Sequence, residues 1–190
     1  MIPSKIVNWI NGSETLAKSG KTFEKLSPHS GEIIYEVTRS TKLDVDNAVA
    51  IAKKSEVGWE NTPAVRRCYL LHKICNALEA KKDEIASIVA LETGKSNKEA
   101  LGETEGAIAL GRFYAGEGQR LYGRTTTSGI ENKYSSTIRQ PCGVAGLIIA
   151  ANTPIANMAW KSFPALICGN SVVLKAAEDA PTTAWIFTKI

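Results

Sequence analysis

The chain has 190 residues, 44% of them hydrophobic and 22% charged, which excludes a disordered polymer and allows one substantial core. Its net charge of +4 is spread along the sequence with no Lys/Arg block interleaved with aromatics, so nothing marks a nucleic-acid partner. The longest apolar run, Val144 to Ala151, is too short to span a bilayer, which removes a membrane from the expected partners.

The opening Met1-Ile2-Pro3-Ser4 lacks a basic stretch followed by an apolar one, so no secretory signal is expected. Lys5 to Ile10 reads as a short strand turned by Asn11-Gly12, and Thr22 to Leu26 as the next strand. Asn11-Gly12-Ser13 also matches a glycosylation acceptor, but a hairpin turn is the expectation here. The cluster Ser27-Pro28-His29-Ser30-Gly31 is a dense turn, followed by the strand-like run Glu32 to Val37.

Helices come next. Val45, Ala48, Val49 and Ala52 recur at helical spacing behind Thr41 and Asp44, a variant of the capping box. Thr62-Pro63 reads as a cap with Pro at the first helical position, and Leu71, Ile74, Cys75 and Leu78 then share a face. A segment from Asp83 carries Ile85, Ile88 and Val89 and stops at Gly94. A longer helix spans about Asn97 to Gly116, with a stripe of Thr104, Ala107, Ile108, Gly111, Tyr114 and Ala115 small enough to let a neighbour approach closely.

After Gly123 the run "TTTSGIENKYSSTIRQP" is poor in core-forming aliphatics and suits an exposed strand pair, whose edges need a partner. From Gly143 the pattern turns α/β. Gly143 to Ala150 is a continuous apolar strand, Ile155 to Leu166 a helix ended by Gly169-Asn170, Ser171 to Leu174 a second strand, and Thr182 onward another helix. Strands without polar alternation imply a parallel sheet covered on both faces. The closing Trp185 to Ile190 stays apolar with no cap, and two strands cannot complete a doubly wound sheet, so truncation is expected.

In open α/β sheets ligands bind beyond the carboxyl ends of the strands. Asn152 and Lys175 stand at two such ends, with Glu178 three residues further on, so all three are expected to face one crevice. An Asn amide there can donate to a developing oxyanion. A Lys can approach a phosphate or hydroxyl, and a Glu can accept from vicinal ribose hydroxyls. The same residues have plainer readings. Asn before Thr-Pro serves as a turn residue bonding its own backbone, Lys and Glu three apart form a solvated pair, and Lys161 beside Trp160 reads as a snorkelling helix residue. "GEGQRL" at 116–121 follows a helix rather than a strand and is not a dinucleotide fingerprint. The four cysteines form no Cys-x-x-Cys and the only histidines are His29 and His72, so no metal site is expected; four free thiols fit a reducing cytoplasm.

The stretch "PCGVAGLIIAANTPIANMAWKSFPALICGNSVVLKAAEDAPTTA", Pro141 to Ala184, resembles the start of the cofactor domain of the aldehyde dehydrogenase superfamily. Upstream, "LETGKSNKEALGETEGAI" and "TPAVRRCYLLHKICNALEAKKDEIA" are similar to that family's helical region, so the resemblance covers nearly the whole chain. It implies an α/β fold: the N-terminal part of the aldehyde dehydrogenase fold, a helical layer plus the start of a Rossmann-like parallel sheet, truncated. Residues 1–124 would be the first strands and helices of the cofactor-binding domain, 125–141 oligomerisation strands, and 142–190 the incomplete Rossmann-like core.

The resemblance also implies roles. Asn152 would hold the oxyanion of a Cys thiohemiacetal, with Lys161 near the active site. Ile148, Ile149, Ala150 and Ala151 would line the cofactor channel, partly through backbone, and Lys175 and Glu178 would bind the adenosine ribose. The parent would be a homo-oligomer oxidising an aldehyde, with NAD preferred over NADP because Glu178 repels a 2′-phosphate. Where the family shows Pro-Trp-Asn-Phe-Pro, this chain has Ala150, Ala151 and Thr153 around Asn152, and Ala176 replaces the usual Pro after Lys175. The family's nucleophilic Cys, general-base Glu and Gly-rich turn come later in a longer chain, and none of Cys68, Cys75, Cys142 or Cys168 matches the nucleophile's context. These residues alone are therefore expected to be inactive. Two other readings are a non-catalytic dimerisation or partner-binding module built on the same fold and a nucleotide-binding domain without redox chemistry, the latter lacking a glycine-rich loop of its own.

Overall fold

The computed structural model describes residues 2–190. Short strands open it: β1 (Lys5–Ile6), β2 (Asn8–Ile10), β3 (Ser13–Thr15), β4 (Thr22–Leu26) and β5 (Ile33–Thr38). The single strand expected over Lys5 to Ile10 is in fact two, in different sheets. β1 runs parallel to β5, with Ile6 opposite Val37, and β5 also pairs antiparallel with β4. β2 folds back on β3 through Asn11 and Gly12, whose φ values of 54° and 72° are the two positive angles a tight hairpin turn requires. Local patterning could not separate them, because the break at Val7 arises from a partner strand thirty residues away in sequence.

The helical layer follows: α1 (Lys42–Glu60), α2 (Ala64–Ala80), α3 (Lys82–Thr93) and α4 (Asn97–Gly116), then a 3-10 turn at Glu117–Gln119. Asp44 reaches back to the backbone N–H of Thr41 at 2.8 Å and its hydroxyl at 2.9 Å, and also accepts from the Lys18 N–H at 2.8 Å. The stripe expected on α1 is only partly inward. Ala52 is buried, as are Asp44 and Glu56, but Val45 and Val49 are exposed; Val45 borders an open cleft, and Val49 lies outside it. Pro63 takes the cap position of α2 rather than its first turn. Gly94 closes α3 in the left-handed conformation, φ 76°, where a side chain would be strained. Ser96 and Glu99 form a reciprocal capping box on α4. Of the small-residue stripe of α4, Thr104, Ala107, Ile108, Gly111 and Ala115 are buried and Tyr114 is half-buried, and Phe163 packs on Gly111.

β6 (Thr125–Thr127) and β7 (Tyr134–Ser136) form an exposed antiparallel pair. The α/β unit is β8 (Val144–Ile148), α5 (Pro154–Ile167), β9 (Ser171–Lys175) and α6 (Pro181–Lys189). β8 and β9 are parallel, with Val144 opposite Ser171 and Ile148 opposite Lys175. The expectation of strands covered on both faces needs correction. Gly146 and Ile148, on one face of β8, are exposed, because α1 and α5 pack more against β9 than against β8.

α5 is the best-anchored element of this unit. Phe163 and Met158 are fully buried, and Phe163 meets Phe187 of α6 edge-on at 6.3 Å, a geometry that adds about 0.5–1.5 kcal/mol to the burial itself. At its C-terminal end, Trp59 Nε1 donates to the Leu166 carbonyl at 2.9 Å and the buried Arg67 Nε to that of Ile167 at 3.0 Å. Arg67 also donates to the carbonyls of Glu60 and Thr62, locking α2 to the α1–α2 turn. A cation there opposes the negative end of the helix dipole.

Candidate functional site

The parallel pairing brings the two turns singled out in sequence to one edge of the sheet. β8 ends at Ile148, and the N–H of Ile149 still donates to the Lys175 carbonyl at 3.1 Å, so the turn 150–153 and the turn 176–180 leave the sheet side by side. Ile149 is buried and joins the core, so it can offer a ligand only its backbone. Ile148, Ala150 and Asn152 are exposed, and Ala151 is half-buried. The Asn152 side chain makes none of the local backbone bonds of an ordinary turn asparagine among the described residues. Lys161, on α5, donates from Nζ to the Ile148 carbonyl and ties that helix to the strand end.

On the second turn, Lys175 Nζ lies 3.2 Å from Glu178 Oε2 and 2.8 Å from the Ala176 carbonyl. The backbone N–H of Glu178 itself, and then Lys175, hold the Glu178 carboxyl below its ordinary pKa. Both residues border an open cleft of about 1180 Å³ between α1, β9, α6 and the N-terminal strands. Asn152, Lys161 and Ile148 to Ala151 lie outside that cleft. The crevice is therefore two adjoining regions: a donor turn on one side of the sheet edge and a charged pair on the cleft rim.

The cysteines divide by environment. Cys68 and Cys75 are buried, and burial pushes the Cys75 thiol up to about 11, which keeps it protonated at neutral pH; Cys142 and Cys168 are exposed. Among the described residues, no group of three or more His, Cys, Asp or Glu side chains is placed to hold a metal ion. No helix among the described residues is long and apolar enough to cross a membrane.

Sequence reasoning missed the groups that hold both turns. α5 and α6 each begin with Pro, so the first free backbone donors are the next two N–H groups. On α5 these are Ile155 and Ala156, which donate to Glu103 Oε1 at 3.0 and 3.3 Å, while Glu103 Oε2 pairs with Lys95. On α6 they are Thr182 and Thr183, which donate to Glu92 at 2.7 and 2.8 Å. Glu92 is only 1% exposed and also accepts from the hydroxyls of Thr183 and Tyr35. Burial and the Glu92 carboxylate push the Tyr35 phenol upward, so it remains a donor. A signal was present: Glu92 falls on the buried stripe of Ile85, Ile88 and Val89 at i+7, i+4 and i+3, where an unpaired charge would be costly.

The family model of the aldehyde dehydrogenase family matches residues 15–190. The chain is similar to the mitochondrial benzaldehyde dehydrogenase of Antirrhinum majus, 39% identical over 184 residues, which is 95% of this chain and 34% of that protein. Among solved structures it is similar to an NAD-dependent aldehyde dehydrogenase from Sinorhizobium meliloti, with 30% identity and a TM-score of 0.93 over 98% of this chain and 38% of that one. It is also similar to 3,6-anhydro-L-galactose dehydrogenase in complex with NAP, with 26% identity and a TM-score of 0.93 over 97% of this chain and 39% of that one. The chain spans about a third of the length of the curated relatives it matches.

Proposed function

The chain belongs to the aldehyde dehydrogenase family, and from that premise we propose that it carries the oxyanion donor and the ribose-binding pair of an enzyme that oxidises an aldehyde to a carboxylic acid with NAD(P)+. The observation that carries this reading is the placement of an exposed Asn152, free of local backbone bonds among the described residues, beside the Lys175–Glu178 turn at one sheet edge.

The residues suit such a cofactor: an exposed carboxylate and an ammonium on the rim of a cleft present an acceptor and a donor to vicinal hydroxyls. The bound nicotinamide supplies a hydride acceptor. Ile148, Ala150 and Ala151 flank its channel in our reading, Ile149 contributing through backbone alone. When a thiolate forms its bond to the aldehyde carbon, the carbonyl electron pair moves to oxygen, and the Asn152 amide donates a hydrogen bond to that oxygen. The thiolate and the general base come from outside this chain. Lys161, anchored on the Ile148 carbonyl, holds α5 against the strand end beside the reacting group.

Glu178 favours NAD over NADP, because a carboxylate there repels a 2′-phosphate. Residues 125–141 pair with another copy of the chain; the exposure of both strands, with Tyr134 and Ile138 near 80% accessible, supports this. Unpaired thiols support a reducing compartment, the cytoplasm in our reading.

The test is Asn152→Ala in the complete protein that carries these residues, followed by aldehyde-dependent NADH formation. Removing one oxyanion donor should lower kcat by roughly 10²–10³-fold. Undiminished turnover would remove the assignment. The 190 residues by themselves should give no NADH.

A further inference from the structure

We propose that the stretch Glu92 to Lys95, acting with Glu103, sets the positions of both site turns: Glu103 positions the turn that carries Asn152, and Glu92 the turn that carries Lys175 and Glu178. This rests on the oxyanion and ribose reading above.

Both site turns are short, end in an X-Pro helix start and lack a side-chain cap of their own. Thr153 Oγ1, the natural candidate on α5, instead accepts from the Asn157 side-chain amide at 2.8 Å. Each helix thus depends on one carboxylate delivered from the helical layer, and that carboxylate receives two consecutive backbone N–H groups. Such a fork fixes direction as well as distance, because two donors on one turn of helix leave little rotation about its axis. The charge also lies at the positive end of the helix dipole.

The two carboxylates are linked through sequence. Glu92 leaves α3 at its last turn, Gly94 reverses the chain, and Lys95 pairs with Glu103 one helix further on. Lys95, three residues after the anchor of α6, therefore holds the anchor of α5 through an ion pair. Lys95 and Glu103 side chains are 25% and 6% exposed, so the carboxylate end of this pair is shielded from water while the ammonium end keeps partial contact with it. Glu92 has no cation against it among the described residues; its four donors are Tyr35, Thr182 and the N–H and hydroxyl of Thr183. Tyr35 belongs to β5, so Glu92 ties the N-terminal sheet to the same turn.

These are positioning residues, since neither carboxylate touches the groups proposed to meet substrate or cofactor. Displacement of a reacting group by about 1 Å can cost about 100-fold in rate. Each carboxylate should therefore move a different kinetic constant. In the complete protein, Glu103→Ala should lower kcat by about 10- to 100-fold, a change several times larger than its effect on cofactor Kd, and Glu103→Gln, which keeps an acceptor, should recover part of the loss. Glu92 is too deeply buried for its removal to be a clean test. Tyr35→Phe and Thr183→Val each remove one of its donors and should raise cofactor Kd by severalfold, more than they lower kcat.

A second readout needs no turnover. Amide hydrogen exchange in this chain should accelerate at Ile155 and Ala156 by at least about tenfold in Glu103→Ala, well beyond any change at Thr182 and Thr183. Wild-type exchange at Ile155 and Ala156, or kinetic constants that move together in every variant, would overturn the proposal. Asn152→Ala run in parallel separates the two ideas. If it leaves kcat intact, the oxyanion reading fails; if it collapses kcat while Glu103→Ala does not, the positioning proposal alone fails.

Discussion

Gly111 offers a prediction whose sign is set by tertiary packing against helix propensity. A β-carbon built there would lie 2.9 Å from Cys75 Sγ and 2.9 Å from two ring atoms of Phe163. Neither neighbour can yield easily, since Cys75 is 0% and Phe163 1% exposed and both belong to the core. Overpacking of this kind costs about 1–3 kcal/mol, against a gain of about 0.5–1 kcal/mol for replacing a mid-helix glycine by alanine. Gly111→Ala should therefore have a net loss of up to about 2.5 kcal/mol. Gly106 stands on the same helix with nothing within 4 Å of its added β-carbon, so Gly106→Ala should keep the helix gain. For a chain of this size each kcal/mol moves Tm by about 2–4 °C. Thermal unfolding of the two variants beside the parent should show shifts of opposite sign, Gly106→Ala upward and Gly111→Ala downward. Equal stabilisation of both would mean that α4 and α5 are not in the close contact described, and with it the delivery of Glu103 to α5 would lose its basis.

Removing the buried guanidinium in Arg67→Met should cost about 3 kcal/mol or more, because the carbonyls of Ile167, Glu60 and Thr62 lose a charged donor together. Denaturant unfolding measures it, and Arg67→Lys should recover less than half, since one ammonium cannot reach all three. Asp44 is held below its ordinary pKa by the N–H groups of Lys18 and Thr41. Because that pKa is depressed on folding, its stabilisation is complete above the unfolded carboxyl value near about 4 and is lost as pH falls through the lower folded value. The stability gap between the parent and Asp44→Asn should thus narrow only below about pH 4, and a gap independent of pH would refute the assignment. In the complete protein, Glu178→Gln should lower the preference for NAD over NADP by about fivefold or more, from the ~1 kcal/mol repulsion of like charges about 4 Å apart in water. The ratio of kcat/KM for the two cofactors reports it.

Where neighbouring residues alone decide conformation, the sequence determined the outcome. Asn11-Gly12 required a tight hairpin, Thr41 with Asp44 began a helix, Gly94 ended one, and the small stripe on α4 foretold a close helix contact. The succession of strand, helix and strand from Gly143 likewise specified a parallel pair, and with it the common end of the sheet beyond which Asn152 and Lys175 lie; that they fall into two adjoining regions was decided by the fold. Other features depended on distant parts of the chain. Lys5 to Ile10 divides between two sheets because Ile6 finds β5 while Trp9 finds β3. Val45 and Val49 share a helical face with Ala52 yet stay exposed, since periodicity defines a face and not what covers it. Glu92 and Glu103 show the difference most plainly. Glu92 is marked in sequence only by the apolar stripe it sits on and Glu103 by nothing local, and folding carries them to helix starts 52 to 91 residues away. Backbone N–H groups left open after an X-Pro start must find an acceptor, but local sequence states only the need; the fold chooses which carboxylate meets it.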